Sequence, residues 1–363
     1  LPVEAGETPA LYRVDQVEMT DHQVIEAVRI EPGIYEPSDA PEDLPSLRAF
    51  VPPMPVEPLF LDLPLIRGDE VPHAPHLAVT GNPWPGSVAV YASDTDEAYS
   101  LSEVIDTRAT IGVTETPLDA APAGPWDNGA ALQVRLYSGT LETRPEAALF
   151  TGANLMAIGA GSAAGTGNDW ELFQFREAEL IGPDTYLLTG RLRGQLGTDG
   201  IMPDVWPAGS RVVLLDGIPG QIDLAAAARR IARHYRIGPA RRGYDDPSYT
   251  HVVAAFDGVG LRPYAPCHLA AVPTADGLEL SWVRRTRIDG DSWELDDVPL
   301  GEDSETYRIR IRAGQTILRE ATADRQGWSY AAGDLSADLA AGADAWEVAQ
   351  ISQRYGPGPY ARC

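Results

Sequence analysis

The chain has 363 residues, which is long enough for two or three domains with hydrophobic cores of their own. Its 53 acidic residues outnumber its 28 basic residues, all of them arginine, and the formal net charge of −25 disfavours general nucleic-acid binding, which depends on neutralising phosphates. A hydrophobic content of 44% is typical of a globular protein, and no apolar run approaches the roughly 20 residues of a membrane-spanning helix.

Cysteine, glycine and proline contents narrow the fold class. With only Cys267 and Cys363, the chain has neither a disulfide framework nor a cysteine-rich metal site. The 35 glycines and 31 prolines, spread among many short apolar runs, predict a mainly β, multi-domain protein rich in turns. No initiator methionine or signal peptide precedes Leu1, so we expect a piece of a longer polypeptide.

Residues 1–35 predict the end of an upstream, hub-like β domain. The β-prone runs Leu11–Met19 and Val24–Glu31 are separated by a polar turn, which is the pattern of a hairpin. Two strands alone are not stable in water, so this hairpin is expected to complete a domain that lies mostly before Leu1. Residues 36–75 are rich in proline and are interpreted as an ordered linker.

Residues 76–222 predict a β-sandwich or β-barrel domain. Between Leu132 and Leu136, apolar residues alternate with Gln133 and Arg135, the period-2 pattern of a half-buried strand. Short strands bounded by turns, with no long helical pattern between them, favour a sandwich or barrel. The expected strands span 88–91, 132–136, 154–158, 170–176, 186–192 and 211–215.

Residues 223–262 predict a short helix followed by a connector. Asp223 is a suitable N-cap, apolar residues then recur at helical spacing, and Gly238-Pro239 ends the pattern. The apolar residues that carry this spacing are Leu224, Ala228, Ile231 and Tyr235.

The same segment concentrates arginine in an otherwise acidic chain. Arginine binds carboxylates and phosphates through two parallel hydrogen bonds, so the cluster is a candidate surface for an acidic neighbouring subunit or an anionic envelope polymer. The alternative is that these arginines pair with the protein's own carboxylates, and the sequence leaves both open. The cluster consists of Arg229, Arg230, Arg233, Arg236, Arg241 and Arg242.

Residues 263–363 predict a separate β-sandwich. Leu278, Leu280 and Trp282 alternate inward, and a second alternating run precedes a final strand at Trp346. An early proline, a strand tryptophan, a later tyrosine and a closing Gly-Pro turn over about 100 residues resemble a fibronectin type III module. Trp293 and Trp328 are candidate carbohydrate-stacking residues, with core or hairpin packing as the alternative.

No motif predicts catalysis, a cofactor or a metal. Residues 159–164 match the dinucleotide-binding spacing of glycines, but another strand follows where a helix is needed, so we interpret 159–169 as a hairpin tip. His73 and His76 lack a third ligand nearby, and the acidic residues between Asp289 and Glu305 lack calcium-loop spacing. The nucleophile elbow, zinc-protease and P-loop motifs are absent from the sequence.

Several stretches together resemble baseplate megatron proteins, the host-specificity or tail-tip proteins of alphaproteobacterial gene transfer agents and related siphophage-like tails. The resemblance spans about residues 11–359, and its most specific parts are the Leu192–Thr198 and Arg262–Pro266 stretches. The other stretches are Trp126-Asp127-Asn128-Gly129, Phe173-Gln174-Phe175-Arg176-Glu177-Ala178 and Leu280-Ser281-Trp282-Val283-Arg284-Arg285.

The resemblance implies a structural virion component of the tail baseplate, assembled in the bacterial cytoplasm, that contributes to envelope attachment and DNA delivery. It also implies a homotrimer bound to other baseplate or hub proteins and to a host envelope polysaccharide or surface receptor. Longer members carry a glycoside-hydrolase-like domain that is not visible here, so no catalytic residue is expected. The alternatives are a hydrolase or depolymerase acting on cell-wall or capsule glycan, and a secreted bacterial adhesin.

Overall fold

The computed structural model describes residues 10–31, 33, 54–160, 169–217, 219–290 and 297–363. They fall in two compact units, Leu1–Pro52 and Pro53–Cys363, and the predicted mainly β fold class is confirmed. The first unit contains β1 (Leu11–Met19) and β2 (Gln23–Ile30), which pair as the predicted antiparallel hairpin.

The second unit contains the remaining strands and helices of the described chain. Its strands are β3 (Glu57–Leu61), β4 (His76–Thr80), β5 (Val88–Ser93), β6 (Ser100–Ile105), β7 (Ile111–Thr114), β8 (Leu118–Asp119), β9 (Trp126–Asp127), β10 (Leu132–Leu136), β11 (Leu155–Gly159), β12 (Trp170–Gly182), β13 (Thr185–Leu192), β14 (Val205–Trp206), β15 (Arg211–Leu214), β16 (Arg233–Pro239), β17 (Thr250–Ala254), β18 (Cys267–Thr274), β19 (Gly277–Val283), β20 (Tyr307–Ala313), β21 (Thr316–Ala323), β22 (Gly327–Ala331), β23 (Ala345–Ser352), β24 (Gly356–Pro357) and β25 (Ala361–Arg362). The α-helices are α1 (Glu146–Leu149) and α2 (Ala332–Ala340), and 3-10 turns span Gln195–Ile201, Ala226–Ala228 and Val259–Leu261.

A closed antiparallel barrel forms the centre of the second unit. Around the barrel the strands run β7, β10, β13, β12, β11 and β15, and β15 pairs back onto β7. Closure removes the free strand edges of a sheet, and alternate residues fill the interior. Met156, Ile158, Phe173 and Phe175 are fully buried inside, together with Leu132, Val134 and Leu136 of the strand that the period-2 pattern predicts.

The outside of the barrel is also buried on one side, against the β3–β4 hairpin. Leu59 and Leu61 of β3 pack with barrel residues of β11 and β12, whereas Phe60 points the other way into a second core. The prediction of a linker over residues 36–75 is therefore wrong for the described part, 54–75. The apolar run in β3 lies between two cores, and burial of both faces stabilises a strand despite the flanking prolines.

That second core belongs to a four-stranded sheet in the order β17-β16-β5-β6. Two of its strands, β5 and β6, precede the barrel strands in the sequence, and the other two, β16 and β17, follow them. The barrel segment is therefore inserted in the chain between the two halves of this sheet. The predicted domain boundaries at 76 and 222 therefore do not coincide with the sheets: β5 and β6 pair with β16 and β17 rather than with barrel strands.

The predicted helix at 223–239 is also wrong. Residues 226–228 make one 3-10 turn, and β16 then runs from Arg233 to Pro239 between two neighbouring strands. Tyr235 and Ile237 alternate into the core, while Ile231, which the helical spacing placed on an apolar face, is 56% exposed. Tertiary pairing overrides local helix propensity here, and the positive φ of 62° at Arg230 interrupts any continuous helix.

The C-terminal residues form a two-sheet sandwich. One sheet has the order β18-β19-β22, and the other has β21-β20-β23 continued by β24 and β25. Leu280, Trp282, Tyr307, Ile309 and Val348 are buried between the two sheets, as their alternation predicts.

Candidate partner-binding surface

The six predicted arginines do not share one surface. The side chain of Arg230 bonds Asp257 at 2.9 Å and the Tyr355 carbonyl oxygen at 2.8 Å, and that of Arg229 donates to the Arg354 carbonyl oxygen. These two residues therefore join the split sheet to the C-terminal sandwich.

The other four arginines lie on β16 and on the turn after it. Arg233 pairs with Asp94 at 2.7 Å, and Arg236 with Asp96 at 3.1 Å. Arg242 lies 3.8 Å from Asp246, whereas the exposed Arg241 has no hydrogen bond or ion pair among the described residues. Internal pairing thus accounts for most of the cluster, and docking to an acidic partner stays a prediction.

The outward face of β5, β16 and β17 collects aromatic, basic and imidazole groups. Because directly opposite residues of antiparallel strands share a face, Tyr91, Arg236 and His251 form one row across the sheet. We call this face, with the turn and loop residues that cover it, the outer-face patch. It comprises Tyr91, Asp96, Tyr99, His234, Arg236, Tyr244, Tyr249 and His251.

Aromatic contacts hold the patch together. Tyr244 packs against Tyr91 and Tyr99 with ring centroids 5.3 Å apart in each case, and Tyr249 lies 6.2 Å from Tyr91. The Arg236 guanidinium lies 5.0 Å from the centroid of the Tyr99 ring. Aromatic rings beside a paired guanidinium and carboxylate are suited to ligands with both apolar faces and hydroxyl groups.

Asp96 is the charged centre of the outer-face patch. One of its oxygens accepts hydrogen bonds from the Tyr99 hydroxyl at 2.5 Å and from Arg236 at 3.1 Å. These two bonds lower the pKa of the Asp96 carboxyl below its ordinary value. Asp96 therefore carries a negative charge at neutral pH in a surface otherwise made of aromatic and nitrogen-bearing side chains.

The two predicted tryptophans have different outcomes. Trp328 is half-buried, stacks on Tyr330 with a centroid distance of 5.0 Å and packs against the sandwich core. This contact corresponds to core or hairpin packing, the alternative to carbohydrate stacking, although part of the side chain remains accessible. Trp293 lies outside the described residues.

Residues 161–168 of the predicted hairpin tip also lie outside the described residues. The strands that flank the tip, β11 and β12, are antiparallel, and Gly159 is paired with Trp170.

The stretches that carry the family resemblance are structural. Arg193 has no exposed surface and binds both carboxylate oxygens of the equally buried Glu171, at 2.6 and 2.8 Å. Glu171 also accepts the indole N–H of Trp206 at 2.6 Å. Because every polar atom of the carboxylate is bonded within the barrel wall, Glu171 has the environment of a structural ion pair.

A second buried pair explains the Trp-Asp-Asn-Gly stretch. Asp127 accepts a hydrogen bond from Arg191 at 2.8 Å and another from the Gly129 backbone at 2.9 Å. Burial opposes ionisation of this carboxyl, but the Arg191 and Gly129 bonds prevail and lower its pKa. Gln174, in the middle of the Phe-Gln-Phe stretch, binds the carbonyl oxygens of Leu149 and Ala153 at 2.7 and 2.8 Å.

The Leu192–Thr198 stretch also joins the barrel to the C-terminal sandwich. Gly197 adopts a φ of +75° directly beneath the Tyr264 ring, where a Cβ atom would lie 2.3 Å from the ring carbon Cδ1. The next turn places Asp199 in an ion pair with Arg285 at 2.8 Å, and Arg285 lies over Tyr264. The two most specific parts of the resemblance are therefore in contact with each other.

A further buried carboxylate, which the sequence analysis did not single out, is Asp62. Its two oxygens accept three backbone N–H groups, from Asp257, Gly258 and Val259, at 2.7 to 2.9 Å. Burial outweighs these bonds and raises the pKa of Asp62 to about 6. This side chain holds the loop after β17 against β3, and an acid in the apolar run 59–63 was the one signal available for it.

The two histidines of the proline-rich stretch each contact a backbone carbonyl oxygen. His73 contacts the Leu224 carbonyl oxygen at 3.0 Å, and His76 contacts the Pro219 carbonyl oxygen at 2.7 Å. Burial lowers the pKa of His76, which keeps its ring neutral.

Among the described residues, no helix combines the length and apolar character needed to cross a membrane.

Part of the chain matches the model of a known protein family. Residues 109–213 match the family described as Rcc01698-like, C-terminal, which is associated with the gene transfer agent of Rhodobacter capsulatus. No curated protein matches the chain. The family match begins just before β7 and ends within β15, so it covers the closed barrel together with both buried ion pairs.

Proposed function

We propose that this chain is a structural component of the tail baseplate of a phage-like gene transfer particle, where it acts by binding rather than by catalysis. The observation that carries the proposal is the family match over the barrel, in which Arg193 and Asp127 of the resemblance-bearing stretches are used in buried internal contacts. Residues that stabilise the barrel and its junction with the sandwich fit a structural part of an assembly.

In this proposal the C-terminal sandwich and the outer-face patch contact the host envelope. The sandwich would act as the fibronectin type III-like module that the sequence resembles, and the patch would offer aromatic rings to an envelope polysaccharide. The chain would act as a homotrimer with other baseplate or hub proteins, assembled in the bacterial cytoplasm before the particle is released.

Immunogold electron microscopy tests the location. Antibody against residues 76–363 is applied to particles from the producing organism, and we expect label at the distal end of the tail. Label confined to cell surfaces, with none on particles, would overturn the proposal in favour of an adhesin.

A second assay tests the absence of catalysis. Purified chain is incubated with cell-wall and capsule glycans, and we expect no release of reducing sugar. Release by the native chain would replace the binding role by a hydrolase or depolymerase role.

A further inference from the structure

The register of β16 and β17 brings two histidines of the outer-face patch together. Arg236 lies opposite His251, and His234 lies opposite Val253, so the two imidazoles are diagonal neighbours on one face. Nδ1 of His234 and Nε2 of His251 are 3.1 Å apart, and the rings are nearly parallel with an interplanar angle of 11°. The residues between them, Tyr235 and Val252, point into the core and hold both strands in place.

The turn between β5 and β6 adds a carboxylate to the same point. Ser93 lies opposite His234, and its hydroxyl binds the Glu97 carbonyl oxygen and the Thr95 N–H, which folds the turn back over the sheet. As a result Asp96 Oδ1 lies 3.7 Å from His251 Nε2. The other oxygen, Oδ2, accepts no hydrogen bond from any residue that the structure describes.

We propose that His234, His251 and Asp96 bind a divalent transition-metal ion of the zinc class. One ligand atom from each of the three residues lies within 4.8 Å of the others. Tetrahedral zinc with bonds of about 2.0–2.1 Å separates its ligands by about 3.3 Å, close to the 3.1 Å between the two imidazole nitrogens. Imidazole nitrogen with one carboxylate is a ligand set that suits zinc, nickel and copper better than calcium or magnesium.

Proton and charge balance are compatible with this ion. The shared proton between the two imidazoles moves to the other nitrogen of its ring, since neither His234 Nε2 nor His251 Nδ1 has a partner among the described residues. Arg236 and Tyr99 remain on Asp96 Oδ1, and the metal takes Oδ2. Asp94 pairs with Arg233, and Arg236 pairs with Oδ1 at the far side of the Asp96 carboxylate.

The site is open and exchangeable rather than closed and structural. Three protein ligands leave one tetrahedral position, and because Asp96 and His251 are exposed, that position faces solvent. The imidazoles lack the outer hydrogen-bond acceptors that usually orient metal ligands, whose loss lowers metal affinity by about 10–100-fold. A bound ion would tie the β5–β6 turn, with Tyr99, to the strands that carry the rest of the outer-face patch.

Equilibrium dialysis with Zn²⁺ tests this inference on the full chain, independently of the baseplate proposal. We expect one ion per chain, and at least about a tenfold loss of affinity in His251→Ala and in Asp96→Asn, because each removes a direct ligand. His22→Ala, which removes an exposed imidazole from the β1–β2 turn, is the matched control and should bind like the native chain.

A second measurement reports on the rings themselves. In ¹⁵N-edited NMR of the histidine side chains, Zn²⁺ should shift Nδ1 of His234 and Nε2 of His251 and leave the His22 ring unchanged. Equal binding by the native chain and folded His251→Ala, or Zn²⁺ shifts that spare both patch histidines, would overturn the inference.

Discussion

Alanine at the buried Gly197 should destabilise the chain more than alanine at an exposed turn glycine with the same backbone angle. The φ of +75° costs an alanine about 1–2 kcal/mol. The new Cβ would also lie within 2.6 Å of three atoms of the Tyr264 ring, and overpacking of this kind costs about 1–3 kcal/mol. We therefore expect the free energy of unfolding to fall by about 2–5 kcal/mol.

Gly217→Ala is the matched control for that experiment. Gly217 has the same φ of +75°, but its Cβ would meet nothing within 4 Å, so only the backbone cost of about 1–2 kcal/mol applies. Both variants are unfolded in urea and followed by tryptophan fluorescence, and the difference between their unfolding free energies isolates the contact with Tyr264. Equal losses in the two variants would refute the argument that Gly197 is required for packing at the barrel–sandwich junction.

The remaining predictions concern buried charge, titration and the candidate binding residues. Glu171→Ala removes the bidentate partner of the buried Arg193 guanidinium, leaving it only Asp127 at 3.5 Å, which already binds Arg191, and should cost about 3–5 kcal/mol in urea unfolding. The exposed control Glu142→Ala should cost less than about 1 kcal/mol, and similar losses would contradict the buried-pair argument. Asp62 should titrate near pH 6 in carboxyl ¹³C NMR, and because its folded pKa exceeds its unfolded pKa, its contribution to stability is present at low pH and is lost as the pH rises from about 4 to about 6; a midpoint at or below 3.8 would contradict this. Charge reversal by Arg229→Glu with Arg233→Glu, and separately by the unpaired Arg241→Glu, should weaken particle adsorption if the cluster docks an acidic partner; unchanged assembly and adsorption in folded variants would leave internal pairing as its role. Trp328→Ala should lower stability through lost packing on Tyr330, and adsorption that is unaffected by alanine at both Trp293 and Trp328 would remove the carbohydrate-stacking hypothesis.

Local pattern was sufficient where one strand face is buried and the other is not. The alternation at Leu132–Leu136 and at Tyr307–Ile311 marks strands whose inward residues are all buried in the structure. In both strands the period of 2 is a direct consequence of side chains that point alternately to opposite faces. The β1–β2 hairpin is predicted instead from two β-prone runs around a polar turn, and its strand bounds are correct to within one residue.

Local pattern misled where burial was two-sided or where sheet partners are distant in sequence. The residues of β3 show no alternation because both faces lie against cores, so their prolines suggested a linker. The apolar residues between Leu224 and Tyr235 recur at the spacing typical of a helix. However, β16 forms hydrogen bonds with β5 and β17, and the local sequence does not reveal these bonds. Its partner β5 lies before the whole barrel segment, and no short-range signal indicates such a pairing.

The sequence by itself determined the fold class, most of the strands and the stretches on which the family resemblance rests. Only the tertiary structure decided what those stretches do, because Glu171 and Arg193 meet through the pairing of barrel strands and Gly197 meets Tyr264 through domain packing. It also decided the composition of the outer-face patch, since His234, His251 and Asp96 come from three elements. The sequence specifies which side chains are present, but strand register and burial set the distances between them and therefore whether they form a site.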